Sequence, residues 1–188
     1  MRVTYRCIRP LTVVYVRALG PYAASSREAW TVMNEWLSRR QVRFRAKQGY
    51  GYFRDNPRLT APELLRYDAC VPVTFGLEPP TGGEVAVQTL PGGVYAVHTH
   101  VGSYAEAGEV LSRLHREVVP KRGLSPDYDR PFLAIYLNDP ALTREVHRRT
   151  ELCVPVLPVR MPLSSNDTEA GRSEERAFAA FNPERKAG

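Results

Sequence analysis

A chain of 188 residues with 43% apolar and 24% charged side chains has the balance of an ordinary globular domain, with length for one sizeable core or two small modules that share one. No apolar run approaches the roughly 18 residues of a membrane span, and the start, MRVTYRCIRPLTVVYV, alternates apolar and polar residues where a secretory leader is continuously apolar; a cytoplasmic location with no membrane partner is expected. The net charge is +6, yet residues 160–188 carry five basic and five acidic side chains, so the whole excess lies on residues 1–159.

The densest basic piece is Arg39 to Lys47, five basic residues and no acid. Such a run could dock phosphate or an acidic protein surface, or it is the solvated C-terminal end of a helix, where cations are favoured. Three cysteines without CxxC spacing make neither a disulfide framework nor a cysteine zinc site, and they are read as reduced thiols.

In chain order, VTYRCIRPLTVVYVRAL is strand-like, with Pro10 marking a bend between two strands. Gly20-Pro21-Tyr22 breaks the pattern, and Ser25 or Ser26 is placed to cap a helix from Ser26 to Arg40, whose Trp30, Met33, Trp36 and Leu37 recur at helical spacing. GYGYF is a short strand that ends in the turn Asp55-Asn56-Pro57. LLRYDACVPV is the next strand, where Pro72 suggests an edge or a bulge. EPPTGG, 78–83, reads as a linker.

After the linker the pattern begins again. VAVQTL and GGVYAVHTHV are strands, Gly102-Ser103-Tyr104 is a break, Tyr104 to Val119 is an amphipathic helix, and FLAIYLNDP and TELCVPV are strands. Gly20 and Tyr22 recur 82 positions later as Gly102 and Tyr104. The turn at Asp55 recurs at Asn138, and Cys70-Val71-Pro72-Val73 recurs as Cys153-Val154-Pro155-Val156, both 83 positions on. The chain therefore reads as an α+β fold made of a duplicated strand-helix-strand-strand unit. Its halves, 1–77 and 84–159, would pack about a pseudo-twofold axis into an antiparallel sheet with helices and a ligand groove between them. The polar, charge-balanced tail 160–188 reads as disordered.

The segments VRALGPY, YFRDNP, APELLRYDACVPV, LPGGVYAVHTHVGSY, FLAIYLNDP and TELCVPV resemble the signature segments of the GyrI-like family, in order and over roughly residues 3–159. That family includes DNA gyrase inhibitory proteins and the effector-binding domains of AraC-type and MerR-type multidrug regulators. The resemblance implies one α+β domain with two pseudo-symmetric halves whose groove accepts bulky, often aromatic and cationic molecules, and some similar proteins are hydrolases that open cyclopropane rings. With no room for a helix-turn-helix before Val3, a stand-alone domain without direct sequence-specific DNA binding is expected.

The resemblance also sharpens the site. In many relatives the strand here written FLAIYLNDP carries a glutamate two positions before the tyrosine, where its charge meets a cationic ligand or takes part in hydrolysis; this chain has Ala134. An unpaired desolvated ion is costly, so the loss removes the natural partner of a cation and argues against an enzyme. Alternation puts Phe132, Ala134 and Tyr136 on one strand face, with Gly49, Gly51 and Phe53 as the first-half counterparts. This surface is either the wall of the groove or plain core.

Asp68 and Glu151 hold equivalent strand positions, and they either aim into the groove as an acid/base pair or bind nearby arginines such as Arg66 and Arg149. His98 and His100 share a strand face, but zinc needs a third ligand that is not evident, so no metal is expected and the pair lines the groove or a solvated strand end. His115 is a structural residue of the second helix. No GxSxG, P-loop, HExxH or GxGxxG motif is present, and no cofactor is expected. The candidate ligand-binding residues are Phe53, Asp68, His98, Phe132, Ala134 and Tyr136. The partner is a hydrophobic or aromatic small molecule, with DNA gyrase as the alternative and a cyclopropanoid hydrolase as the third reading.

Overall fold

The computed structural model describes residues 1–40, 48–73 and 83–158. Residues 41–47, most of the basic run, the greater part of the linker, and the tail from 159 onward lie outside the described residues.

Strands β1 (Thr4–Ile8) and β2 (Leu11–Leu19) lead into helix α1 (Tyr22–Arg39), followed by β3 (Gly49–Phe53) and β4 (Arg66–Pro72). The remainder follows the same order with one strand added: β5 (Val85–Leu90), β6 (Gly93–Val101), α2 (Tyr104–Arg113), the additional short β7 (Leu124–Pro126), β8 (Phe132–Tyr136) and β9 (Arg149–Pro158). All pairings are antiparallel, in the order β1-β6-β9-β8-β3-β4-β2-β5, with β7 on β9. The expected α+β antiparallel architecture is present.

At the centre β3 meets β8 with Gly49 opposite Tyr136, Gly51 opposite Ala134 and Phe53 opposite Phe132. Gly20 and Gly102 carry matching positive φ values of 118° and 131°, the left-handed side that L side chains avoid. Each donates its N–H, to Leu65 O and Arg148 O respectively, at 2.9 Å.

Three apolar clusters sort the side chains by strand parity. Helix α1 lays Ala29, Met33, Trp36 and Leu37 on Val14, Val16, Tyr67, Ala69 and Val71. Helix α2 and the turn after it lay Leu111, Leu114 and Val119 on Ala96, Ala134, Leu152 and Val154. The opposite face gathers Val13, Leu90, Tyr95, Val97, Leu133 and Cys153 into one cluster. With Ile135, Tyr52 and Cys70 between them, this cluster runs across neighbouring strands from β6 to β5.

Four local expectations change. Helix α1 starts at Tyr22, not Ser26: Ser25 is buried within its first turn and donates to Gly20 O at 3.1 Å, whereas in α2 Ser103 is the cap, accepting from Ala105 N at 3.2 Å. Helix α2 closes earlier than Val119, passing at Leu114 into a wider π turn in which Val119 N bonds Leu114 O at 3.0 Å. Strand β7 was not foreseen. Strands β4 and β9 are interior rather than edge strands, and Pro72 and Pro155 are tolerated because each stands beyond the stretch paired with β3 or β8, where no donor is required.

Candidate functional site

Between α1 and α2 the helix-bearing face of the sheet is open over its central strands. The resulting groove encloses about 690 Å³. Its depth comes from small residues. A Cβ on Gly49 would stand 2.5 Å from the Trp30 ring, and one on Gly51 would stand 3.0 Å from both Tyr67 Cζ and Tyr136 Oη. Only glycine lets these rings lie down on the strands. Ala134 continues the cleared floor and is 2% exposed.

The walls are aromatic. Tyr136 meets Trp30 of α1 edge-on at 5.5 Å and Tyr104 of α2 at 5.3 Å, while Phe53 meets Tyr22 at 5.0 Å and Tyr67 at 5.3 Å, within the favourable range for ring pairs. Beneath them the Trp30 indole donates to Tyr67 Oη at 3.0 Å, and the hydroxyls of Tyr67 and Tyr136 share a bond of 2.9 Å. Burial pushes the Tyr136 phenol up to about 12 and the Tyr67 phenol well above its ordinary value, so both stay protonated donors at neutral pH. Tyr22 donates its hydroxyl to Asp55 O at 2.6 Å and accepts from Asp55 N at 3.0 Å, which tethers its ring.

Among the described residues, the charged groups on the lining are Arg27 and Asp139, both exposed at the rim. The polar groups at the α2 end are Asn138 and Thr150. No three His, Cys, Asp or Glu side chains among the described residues gather where a metal ion could sit.

The candidates from the sequence divide. Phe53, Ala134 and Tyr136 line the groove together. Phe132 shares their strand face but lies beside it, its ring 4.9 Å from His115. His98 is outside the lining, with Nδ1 2.8 Å from Arg2 O. Asp68 faces the opposite side of β4 and is fully buried. It accepts from Arg17 at 2.7 and 2.9 Å, Arg54 at 2.8 Å and Gln88 at 3.0 Å. Burial alone would raise its carboxyl, and these donors together hold it below the ordinary carboxylate range. Glu151 pairs with Arg6 on that same far face, and Arg66 pairs with Asp55.

Sequence reasoning missed Trp30 as a wall, treating it only as the apolar stripe of a helix, and missed Tyr104 and Thr150. The signal for the tyrosine was in view. Gly20-Pro21-Tyr22 and Gly102-Ser103-Tyr104 each launch a helix, and each places its tyrosine in the groove.

An α+β sheet with an aromatic groove open between two helices and free of buried charge is the framework of a small-molecule-binding domain. The sequence matches the GyrI-like small molecule binding domain over residues 1–157, and the chain belongs to that family. It is 32% identical over 133 residues to a DNA gyrase inhibitor of Serratia proteamaculans, covering 68% of this chain and 81% of that one. Among solved structures, EcmrR in its DNA complex aligns with a TM-score of 0.68 at 14% identity, over 84% of this chain and 58% of that one. SAV2435 bound to tetraphenylphosphonium aligns with a TM-score of 0.55 at 14% identity, over 84% and 94%. These structural likenesses concern the fold. No helix among the described residues is long and apolar enough to cross a membrane.

Proposed function

We propose that the groove binds hydrophobic, aromatic small molecules, and that the domain of residues 1–159 senses or sequesters them. The observation that carries this reading is the ring of Trp30, Tyr104 and Tyr136 around a floor cleared by Gly49 and Ala134. Such a surface offers stacking contacts on several sides and buries most of a flat ligand. The tetraphenylphosphonium held by SAV2435 is a bulky aromatic molecule in a domain of the same fold. The constant spacing of corresponding elements supports reading the halves, 1–77 and 84–159, as copies of one unit with the groove at their junction.

Thermal unfolding of the full chain against a panel of neutral and cationic polycyclic compounds tests the proposal. Several compounds are expected to raise the Tm, with the shift reduced in Tyr136→Ala and in Tyr104→Ala; a panel that leaves the Tm unchanged overturns it.

A second reading, inhibition of DNA gyrase through a protein contact, is favoured by the name of the relative from Serratia proteamaculans. Dose-dependent loss of gyrase supercoiling is its expected result, and unchanged supercoiling at a large molar excess retires it. The third reading, a cyclopropanoid hydrolase with Asp68 or Glu151 as its acid, has no support in the groove, since both carboxylates are engaged by arginines on the far face of the sheet.

A further inference from the structure

The two ends of the groove are built unequally. Tyr67 and Thr150 stand 83 positions apart, each follows the arginine that opens its strand, and each lies opposite a groove aromatic, Phe53 for Tyr67 and Tyr136 for Thr150. Tyr67 fills its end with a ring that reaches Trp30 and Tyr136. Thr150 stops at a hydroxyl. On the helices, Trp30 has Ser112 as its counterpart 82 positions on, and Ser112 is absent from the lining. The α2 end is thus the roomy one.

Thr150 lines that end at 1% exposure, its Oγ1 closed to water and without a hydrogen-bond partner among the described residues, so a ligand meets that oxygen only after rotation about χ1, which exchanges it with the methyl group. A buried hydroxyl left unpaired is unfavourable. Valine has the same shape and would pack the strand without that cost, so packing gives no reason for the oxygen. An unsatisfied polar group in a strand that faces an apolar groove is what a ligand's hydrogen-bonding group would complete.

We propose that Thr150 Oγ1 determines specificity in the groove by hydrogen-bonding an oxygen or nitrogen on the edge of an otherwise apolar aromatic ligand. The favoured class is polycyclic aromatic molecules with a carbonyl, hydroxyl or ring heteroatom, over plain hydrocarbons of the same shape. This rests on the reading that the groove binds aromatic molecules. The hydroxyl donates to a carbonyl or ring nitrogen, or accepts from a phenol, and Asn138 supplies a second polar neighbour at the same end.

The test uses 9-fluorenone and fluorene, one tricyclic skeleton carrying C=O in the first and CH2 in the second, measured by equilibrium dialysis with the full chain. The wild-type protein is expected to prefer fluorenone roughly 3- to 10-fold, the scale of one net hydrogen bond. Thr150→Val is expected to bring the ratio to about one, and Thr150→Ser to retain it. Without ligand, Thr150→Val is expected to raise the Tm, because the unpaired hydroxyl is gone. Equal binding of the two compounds by wild type, an unchanged ratio in Thr150→Val, or a lower Tm for that variant overturns the role of Thr150. Failure of both compounds to bind overturns the aromatic-groove reading itself, a result distinct from fluorene bound without a ketone preference.

Discussion

Replacing Gly51 by alanine probes how the Tyr67 and Tyr136 rings are seated beside the groove floor. The added Cβ would stand 3.0 Å from Tyr67 Cζ and 3.0 Å from Tyr136 Oη. Tyr67 is fully buried, with Phe53 and Tyr22 against its ring, so it cannot swing toward water. Relief comes only by moving the phenols apart, which gives up the 2.9 Å bond between them. Overpacking a filled core costs about 1–3 kcal/mol, and stranding a buried hydroxyl costs about 1–3 kcal/mol more. Loss of glycine's freedom in the unfolded chain returns about 0.4–1 kcal/mol. The net loss is about 3 kcal/mol, within bounds of about 1–6 kcal/mol, or a Tm lower by roughly 6–12 °C for a chain of this size. Urea unfolding followed by far-ultraviolet circular dichroism measures the loss, and the near-ultraviolet spectrum follows the tyrosine and tryptophan rings. Gly108→Ala is the control: nothing lies within 4 Å of its Cβ, and in a helix alanine is favoured by about 0.5–1 kcal/mol. A loss below about 0.5 kcal/mol in Gly51→Ala, the range of an indifferent surface change, would refute the account of the floor.

Asp68→Ala leaves Arg17 and Arg54 without their shared carboxylate, and a cost of about 3 kcal/mol is expected, the low end for a broken buried pair, because both arginines can turn toward water. Ligand-induced Tm shifts should stay as in wild type, since Asp68 faces away from the groove. With its folded pKa depressed, Asp68 contributes stability that is present above the ordinary carboxylate pKa of about 4 and is lost as pH falls through the lower folded value; Asp68→Asn should flatten that acid slope in urea titrations. At the other extreme, burial raises Tyr22, Tyr95 and Tyr136 to about 12. Their contribution is complete below about pH 10 and is lost as pH rises toward 12, a decline that Tyr136→Phe should lessen in alkaline unfolding. Ala134→Glu puts a carboxylate on a floor with no buried cation to meet it. Stability should fall with rising pH as that acid is forced to ionise, and binding of tetraphenylphosphonium in calorimetry should strengthen relative to wild type.

The order of elements was legible because the strands are short apolar runs bounded by turn residues and each of the two long helices is preceded by a glycine that the turn requires. Gly20 and Gly102 could be matched from their neighbours alone, and both carry positive φ. The errors came where a local rule yields to a neighbour. Pro72 and Pro155 suggested sheet edges, but a strand forbids proline only where the N–H has a partner; paired with Val13 and Tyr95 on one side, each stands past the end of β3 or β8 on the other. Ser25 suggested a cap, but its hydroxyl is spent on Gly20 O inside the first turn. Strand β7 is three residues, Leu124–Pro126, too short to display alternation.

The site was less legible, and parity explains why. Tyr67 and Asp68 are consecutive on β4, so one faces the helices and the other the far cluster. Sequence alone presents an ionisable residue beside an aromatic one, and chemistry draws attention to the wrong member of the pair. Which face carries the groove is decided by Gly51 and Ala134, opposite each other at the centre of the sheet, and their significance lies in the side-chain volume they lack. Above Gly51 that space is taken by the Tyr67 and Tyr136 hydroxyls, so the ligand we propose settles over Ala134 and toward Thr150. A carboxylate at 134 would have made charge the means of selection there. With alanine in its place, the selection we propose rests on ring stacking and on hydrogen bonds from neutral groups, both short-ranged and little affected by ionic strength.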